Sequence, residues 1–104
     1  MTSHPSFNAA LEAYNAGRRD EAARICQLVL QREPGEANTA HLLGLLLLEA
    51  GQARAAFAPL RVAVAGKPQD ALIWSHFARS AFAAGHDAVA LGGMRRAILL
   101  NPDQ

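Results

Sequence analysis

The chain has 104 residues, of which 51% are hydrophobic, 18% charged and 6% aromatic, and its formal net charge is +1. This is the length of one ordinary domain, which can bury a core without disulfide or metal staples. The near-neutral charge gives no electrostatic attraction for nucleic acid or an anionic membrane, and the single cysteine excludes an internal disulfide framework. Residues 1–17 show no secretory signal pattern, so we expect a cytoplasmic protein.

Six helices are predicted along the chain, in three pairs, because alanine and leucine favour helix and no segment alternates like a strand. The pairs span residues 6–16 and 19–32, 37–50 and 53–66, and 71–84 and 87–100. Connections of a few residues make the two helices of each pair antiparallel neighbours. Pro59 and the pair Gly92-Gly93 lie inside predicted second helices, where we expect small bends.

The three pairs are copies of one unit that repeats every 34 residues. An alanine and a glycine stand between the two helices of each copy, where glycine forms a left-handed helix cap. A second alanine recurs in the second helix, and a proline closes each copy. These positions are Ala16-Gly17, Ala50-Gly51 and Ala84-Gly85; Ala22, Ala56 and Ala90; and Pro34, Pro68 and Pro102. The copies cover about 3–36, 37–70 and 71–104, which predicts a single all-α domain of three stacked hairpins.

This pattern resembles the tetratricopeptide repeat (TPR) family, whose repeat has the sequence W-x2-L-G-x2-Y, then A-x3-F, then P. The third copy matches it with Trp74, Phe77, Ala78, Ala81, Ala90, Met94 and Pro102. The second copy matches with Ala40, Leu43, Gly44, Leu47, Ala56, Leu60 and Pro68. The first copy matches least, with Ser6, Ala9, Ala10, Ala13, Ala22, Cys26 and Pro34. The resemblance implies a short right-handed α-solenoid, the TPR superhelix, whose first helices line a concave groove.

The segment HLLGLLLLEAG at residues 41–51 makes the central first helix apolar on nearly all sides. It is far shorter than the roughly 20 residues of a membrane span, so protein must cover its leucines. The TPR pattern assigns Leu43 and Leu47 to the core and leaves Leu42, Leu45 and Leu48 facing the groove. A ligand, a second chain or further sequence would cover the groove; the alternative is an apolar groove left open to water.

The resemblance implies that this groove binds a partner. Its candidate residues are Phe7, Asn8, Leu11, His41, Leu42, Leu45, Leu48, Glu49, Ser75, His76 and Arg79. The polar residues of TPR carboxylate clamps and asparagine ladders are mostly replaced here, since the ladder column reads Asn8, Leu42 and His76. We therefore expect an apolar or amphipathic peptide, helix or second chain as the partner. His41 and His76 are expected as a solvated or hydrogen-bonded pair, with a ligand-binding polar spot as the alternative.

No pattern of residues points to catalysis or to a cofactor. The four histidines lack metal-ligand spacing, and the LGG at residues 91–93 lies inside a predicted helix rather than in a phosphate-binding loop. Cys26 replaces an aromatic residue of the TPR pattern, so we expect a small buried hydrophobe. The sequence thus predicts a non-catalytic protein-interaction module that binds no metal, nucleic acid or membrane.

Two alternatives remain open. The chain could be the N-terminal, substrate-presenting region of a larger bacterial enzyme of glycosyltransferase, sulfotransferase or oxygenase type. Its nine arginines and one lysine, with its many alanines, are typical of a GC-rich bacterial genome. It could also be a self-assembling scaffold, since the third copy leaves an apolar end at Met94, Ala97 and Ile98. That end and the apolar groove predict a dimer or higher oligomer at high concentration.

Overall fold

A computed structural model describes residues 4–102, which form six α-helices in three antiparallel hairpins. The helices are α1 (Phe7–Asn15), α2 (Arg19–Arg32), α3 (Ala37–Glu49), α4 (Phe57–Gly66), α5 (Ala71–Ala83) and α6 (Asp87–Leu100). The hairpins stack into a body of 46 × 24 × 24 Å. The all-α fold of three hairpins is confirmed, and every helix end except the start of α4 lies within one residue of its predicted position. No helix in residues 4–102 is long and apolar enough to cross a membrane.

The turn inside each hairpin is built around one of the recurring glycines. Gly17, Gly51 and Gly85 have φ angles of 81°, 76° and 85°. This left-handed conformation is free of strain only for glycine. The residue after each glycine donates its N–H to a carbonyl in the last turn of the helix, as Arg18 does to Ala13 at 2.9 Å. The glycines therefore recur because each ends a first helix in a Schellman motif.

A side chain caps the start of each first helix. Ser6 accepts a hydrogen bond from the N–H of Ala9 at 3.1 Å, and Asp70 accepts one from the N–H of Leu72 at 3.0 Å. Glu36 does the same for Thr39 at 2.7 Å. These bonds satisfy N–H groups that have no partner within the helix, and they fix where α1, α3 and α5 begin.

The second helix of the middle hairpin begins at Phe57, four residues later than predicted. Residues 53–56 form turns instead, with hydrogen bonds from Ala56 to Gln52 and from Phe57 to Arg54, each of 3.2 Å. Pro59 thus lies in the first turn of α4, where its missing N–H would have no helical partner. The prediction that Pro59 interrupts a helix interior was wrong, because the proline shifts the start of the helix.

The core consists of two clusters, one at each junction between hairpins. The first joins α1 and α2 to α3 and contains Ala10, Ala13, Ala22, Cys26, Leu42, Leu43 and Leu46. The second joins α3 and α4 to α5 and contains Ala40, Leu48, Ala56, Leu60, Ala63, Val64, Ile73 and Phe77. The first and second hairpins thus each bury their apolar side against the first helix of the next hairpin.

The central helix α3 contributes leucines to both clusters. More of its leucines are therefore buried than the repeat pattern predicted. Leu42 and Leu48 are only 5% and 3% exposed, so placing them in the groove was wrong. Leu43 is buried as expected, whereas Leu47 is half-buried against both clusters. Leu45 is also half-buried. The reason is that hairpins on both sides cover α3 over a wider arc than the pattern of one repeat indicates.

Candidate partner-binding surface

The third hairpin carries an open cavity of about 560 Å³ between α5 and α6. It is lined by Ser75, Ala78, Arg79 and Phe82 of α5 and by Asp87, Ala90, Leu91 and Met94 of α6. Phe82, Leu91 and Met94 are 69%, 59% and 50% exposed, and Ile98, one turn further along α6, is also exposed. We call Phe82, Leu91, Met94 and Ile98 the C-terminal face. Large apolar side chains that are exposed together typically mark an interaction site.

The repeat shows what covers this surface elsewhere in the chain. Thirty-four residues before the cavity residues stand His41, Gly44, Leu45, Leu48, Ala53, Ala56, Phe57 and Leu60. There α5 covers them: Leu48 and Leu60 share a core cluster with Ile73 and Phe77. The ring of Phe57 stacks on that of Phe77, with 5.5 Å between the ring centroids. The equivalent surface of the second hairpin therefore packs against an amphipathic helix, α5.

The first hairpin repeats the arrangement. Its equivalent residues include Ala10, Ala22 and Cys26, which are buried in one cluster with Leu43 and Leu46 of α3. The same surface is thus covered twice by the first helix of the following hairpin. On the third hairpin, no helix within residues 4–102 covers it.

The opposite end of the stack has a different chemistry. Ala9 and Glu12 of α1 stand where α5 has Phe77 and Ser80. The cleft beside them is lined by polar and apolar residues, and its charged residues are Glu12, Arg18, Glu21 and Arg24. The N-terminal end of the stack therefore carries more charge than the C-terminal end, where the cavity has one cation and one anion.

His41 and His76 join α3 to α5 within the predicted groove. Nε2 of His41 lies 3.0 Å from Nδ1 of His76, which is the expected hydrogen bond. Burial lowers the pKa of both imidazoles, a proton on His76 would lower that of His41 further, and the guanidinium of Arg79 further lowers that of His76. The pair is therefore neutral at pH 7, with one ring donating and the other accepting.

Glu49 connects the first two hairpins at the other end of α3. The hydroxyl of Tyr14 donates to Oε2 of Glu49 at 2.8 Å, and the guanidinium of Arg19 binds Oε1. The bond from Tyr14 is the main cause that lowers the pKa of Glu49, which favours its charged form. Glu49 was predicted in the groove, but its partners Tyr14 and Arg19 were not predicted, because they lie 35 and 30 residues away in the chain.

The remaining predicted groove residues divide between the two ends of the stack. Phe7 and Leu11 are half-buried against the first cluster, and Asn8 is exposed. Ser75 and Arg79 line the cavity of the third hairpin. The structure therefore brings only these last two together with the C-terminal face.

Met94 and Ile98 are exposed as predicted, whereas Ala97 is 4% exposed and was wrongly assigned to the apolar end. Ala90, Gly93 and Ala97 are spaced by three and four residues, so they share the buried side of α6. Phe82 and Leu91 were missed as binding residues. The signal for both was available, since each stands 34 residues after a residue of the second core cluster or of its partly buried margin, Leu48 and Phe57.

Within the described residues, neither the cysteine nor the metal-ligating side chains form a reactive site. Cys26 is buried, and burial raises the pKa of its thiol to about 11. A thiol in that state is protonated at neutral pH and unreactive. Within residues 4–102, no three histidine, cysteine, aspartate or glutamate residues are grouped to hold a metal ion.

Comparison with known families gives one match over most of the chain. The sequence model of the family described as "Anaphase-promoting complex, cyclosome, subunit 3" matches residues 15–96. Among curated proteins, none matches the sequence significantly.

Several solved structures have the same arrangement of helices. MamA (41-end) from Desulfovibrio magneticus RS-1 superposes with a TM-score of 0.82 and 21% identity, over 94% of this chain and 55% of that one. MamA from MSR-1 gives 0.74 and 20%, over 94% and 59%. A mutant O-GlcNAc transferase from Thermobaculum terrenum gives 0.76 and 31%, over 99% of this chain and 21% of that one. The chain therefore spans little more than half the length of the MamA chains that it matches.

Proposed function

Since the chain belongs to the TPR family of anaphase-promoting complex, cyclosome, subunit 3, we propose that it is a protein-interaction module whose C-terminal face binds an amphipathic helix. TPR domains are generally protein-interaction modules. One observation supports the proposal that the partner is an amphipathic helix. The surface recurs in all three hairpins, and a helix covers it in the first two.

The helix that fits this surface has a recognisable pattern. In the second hairpin, the covering helix inserts Ile73 and Phe77, which are four residues apart and so lie on one side of it. A partner helix with two large apolar residues at that spacing would contact Phe82, Leu91 and Met94 in the same way. Arg79 and Asp87 line the same cavity, and either can hold an opposite charge on the partner.

We propose that the accessible part of the groove extends this surface for a longer partner. Ser75 and Arg79 were predicted in the groove and also line the cavity, which supports one continuous surface. Leu45 of α3 is half-buried, and Asn8 of α1 is exposed. An extended amphipathic partner would gain contacts with these residues after its first helix has docked.

A fragment of the chain itself is a suitable probe, because α5 covers the equivalent surface of the second hairpin. A fluorescently labelled peptide of residues 70–84 is titrated with the protein, and its anisotropy is measured. We expect saturable binding that Met94→Glu weakens at least about tenfold, since the contact would desolvate an unpaired carboxylate. Leu99→Glu is the matched control, because Leu99 is on the same helix, 76% exposed and outside the cavity.

The control should bind the peptide like the wild type, and circular dichroism should show both variants folded. Two outcomes contradict the proposal. Either the peptide does not bind the wild type, or both variants lose the same affinity.

The similarity to the O-GlcNAc transferase favours a second candidate function. Nearly the whole chain is 31% identical to a region that makes up 21% of that enzyme chain. Our second proposal is therefore a repeat region that presents substrates to the catalytic domain of a larger glycosyltransferase. Reading the coding sequence beyond Gln104 tests it: a glycosyltransferase domain in frame would support it, and an immediate stop codon would exclude it.

A further inference from the structure

We propose that the helix that covers this surface in solutions of the chain is α6 of a second copy. Two copies then dock with their C-terminal faces together, about a two-fold axis. This inference rests on the proposed function, because it assigns an occupant to the same surface.

The different chemistry of the two ends of the stack disfavours a head-to-tail arrangement. If α1 of a second copy continued the stack, Ala9 and Glu12 would take the places that Phe77 and Ser80 have on the second hairpin. Glu12 would then lose its contact with water against a largely apolar surface, where Arg79 is the one cation of the cavity lining, so desolvation of its carboxylate opposes this arrangement. Head-to-tail contacts build filaments or rings, whereas contact between two apolar ends gives a closed, two-fold arrangement.

The C-terminal face is complementary to itself. Leu91, Met94 and Ile98 are spaced by three and four residues and form one exposed stripe along α6. In two antiparallel copies of α6, Met94 would lie beside the two-fold axis, with Leu91 of one copy opposite Ile98 of the other. The cavity is lined by one cation, Arg79, and one anion, Asp87, so the lining of the cavity carries no net charge.

The size of the end surface limits the area that this contact can bury. A body of 24 by 24 Å in cross-section offers about 580 Å² per copy, or about 1,150 Å² for two. Specific, stable interfaces bury about 1,200–2,000 Å² in total, so the contact lies at the lower limit. We therefore expect a reversible dimer of limited interface area, which a tightly binding partner helix displaces.

The first test is sedimentation equilibrium between about 1 and about 500 µM protein, a range that brackets micromolar dissociation constants. We expect a monomer–dimer equilibrium in the wild type and a dissociation constant at least tenfold higher in Leu91→Glu and Met94→Glu. Leu99→Glu should dimerise like the wild type. The labelled peptide of residues 70–84 should shift the wild type towards monomer.

A thiol substitution tests the two-fold axis. Cys26 is buried and protonated, so Met94→Cys would introduce the one reactive thiol of the described chain. Disulfides need Cα atoms within about 7 Å, so oxidation should give covalent dimers only if position 94 faces itself across the axis. Leu99→Cys is the control and should form them at a much lower rate.

The outcomes separate this inference from the proposed function. A monomer that binds the peptide would overturn the dimer and leave the helix-binding function intact. A monomer that does not bind the peptide would overturn both. A dimer that both glutamate variants leave unchanged would place the interface elsewhere and contradict the inference.

Discussion

Three glycines inside helices, Gly44, Gly92 and Gly93, differ in how closely other atoms approach them. A Cβ on Gly44 would lie 2.4 Å from Cγ of Leu60, so α3 and α4 cross too closely there for any side chain. A Cβ on Gly93 would lie 3.2 Å from Cβ of Ala78, which is a tight contact between α6 and α5. A Cβ on Gly92 would meet nothing within 4 Å. Packing therefore explains Gly44 and Gly93, whereas nothing in the structure explains Gly92.

This difference predicts opposite outcomes for two adjacent residues. Gly92→Ala should raise the free energy of unfolding by about 0.5–1 kcal/mol, because alanine favours helix over glycine. Gly93→Ala has the same helix gain, but its contact with Ala78 offsets it, so we expect little gain or a loss. Urea unfolding of both variants measures the difference. Equal stabilisation would show that α6 does not pack on α5 in this register.

Substitutions at two leucines of α3 should differ in their effect on stability. Leu43 is buried in the first core cluster, so Leu43→Ala should lower the free energy of unfolding by about 2–5 kcal/mol. Leu45 is half-buried and belongs to neither cluster, so Leu45→Glu should retain the fold. Melting curves followed by circular dichroism compare the two. If Leu45→Glu unfolds the chain and Leu43→Ala is tolerated, the assignment of these residues is inverted.

At the scale of helices, the sequence predicted those elements whose ends depend on local chemistry. The Schellman glycines and the first-helix ends are local, and they were placed within a residue. The start of α4 was missed because the pattern of the other two copies was imposed on a segment that contains Pro59. Leu42 and Leu48 were misplaced for a different reason. Their burial depends on hairpins that are distant in sequence, and the pattern of one repeat does not contain that information.

A larger side chain at Ala56 should destabilise the protein, because Ala56 lies where α3 and α4 cross. Ala56 is fully buried in the second core cluster, so Ala56→Leu should lower the free energy of unfolding by about 1–3 kcal/mol. Ala55 is exposed, and Ala55→Leu serves as the control that should change stability little. Thermal melts of the two proteins give the comparison. Equal melting temperatures would mean that the register of this hairpin is wrong.

The histidine pair between α3 and α5 predicts a dependence of stability on pH. The charged groups around it are Lys67 and Arg79, which lower the imidazole pKa values, and Asp70 and Glu49, which raise them. Burial dominates, so both folded-state pKa values lie below the unfolded value of about 6.5. Between these values the unfolded chain binds more protons. The contribution of the pair is therefore complete above about pH 6.5 and is lost as the pH falls below it.

Urea unfolding at about pH 7.5 and about pH 5.5, on either side of the histidine pKa, tests this dependence. The wild type should be less stable at the lower pH, and a variant with both His41→Gln and His76→Gln should lose less stability between the two. A double variant with the same pH dependence as the wild type would contradict the assignment to this pair.

For the whole molecule, the 34-residue period was the most informative feature of the sequence. It predicted the number of hairpins, their order and their stacking, because each copy needs a neighbour to bury its apolar side. The groove was predicted less well, since a resemblance indicates which helices line it but not which side chains remain accessible. The C-terminal face was only partly recognised. Phe82 and Leu91 are recognised as binding residues from their equivalents, Leu48 and Phe57, which pack against α5 in the structure.

The central claim is that the C-terminal face binds an amphipathic helix. The most direct test adds such a helix to the end of the chain. A copy of residues 71–84 placed directly after Gln104 keeps the 34-residue period, because residues 101–104 correspond to residues 67–70. The control is the same extension with lysine at the positions copied from Ile73 and Phe77. The measurement is the free energy of unfolding in urea. We expect the extension to raise it by about 2 kcal/mol or more over the control, as burial of two large apolar side chains would give. Equal values for the extended chain and its control would contradict the claim.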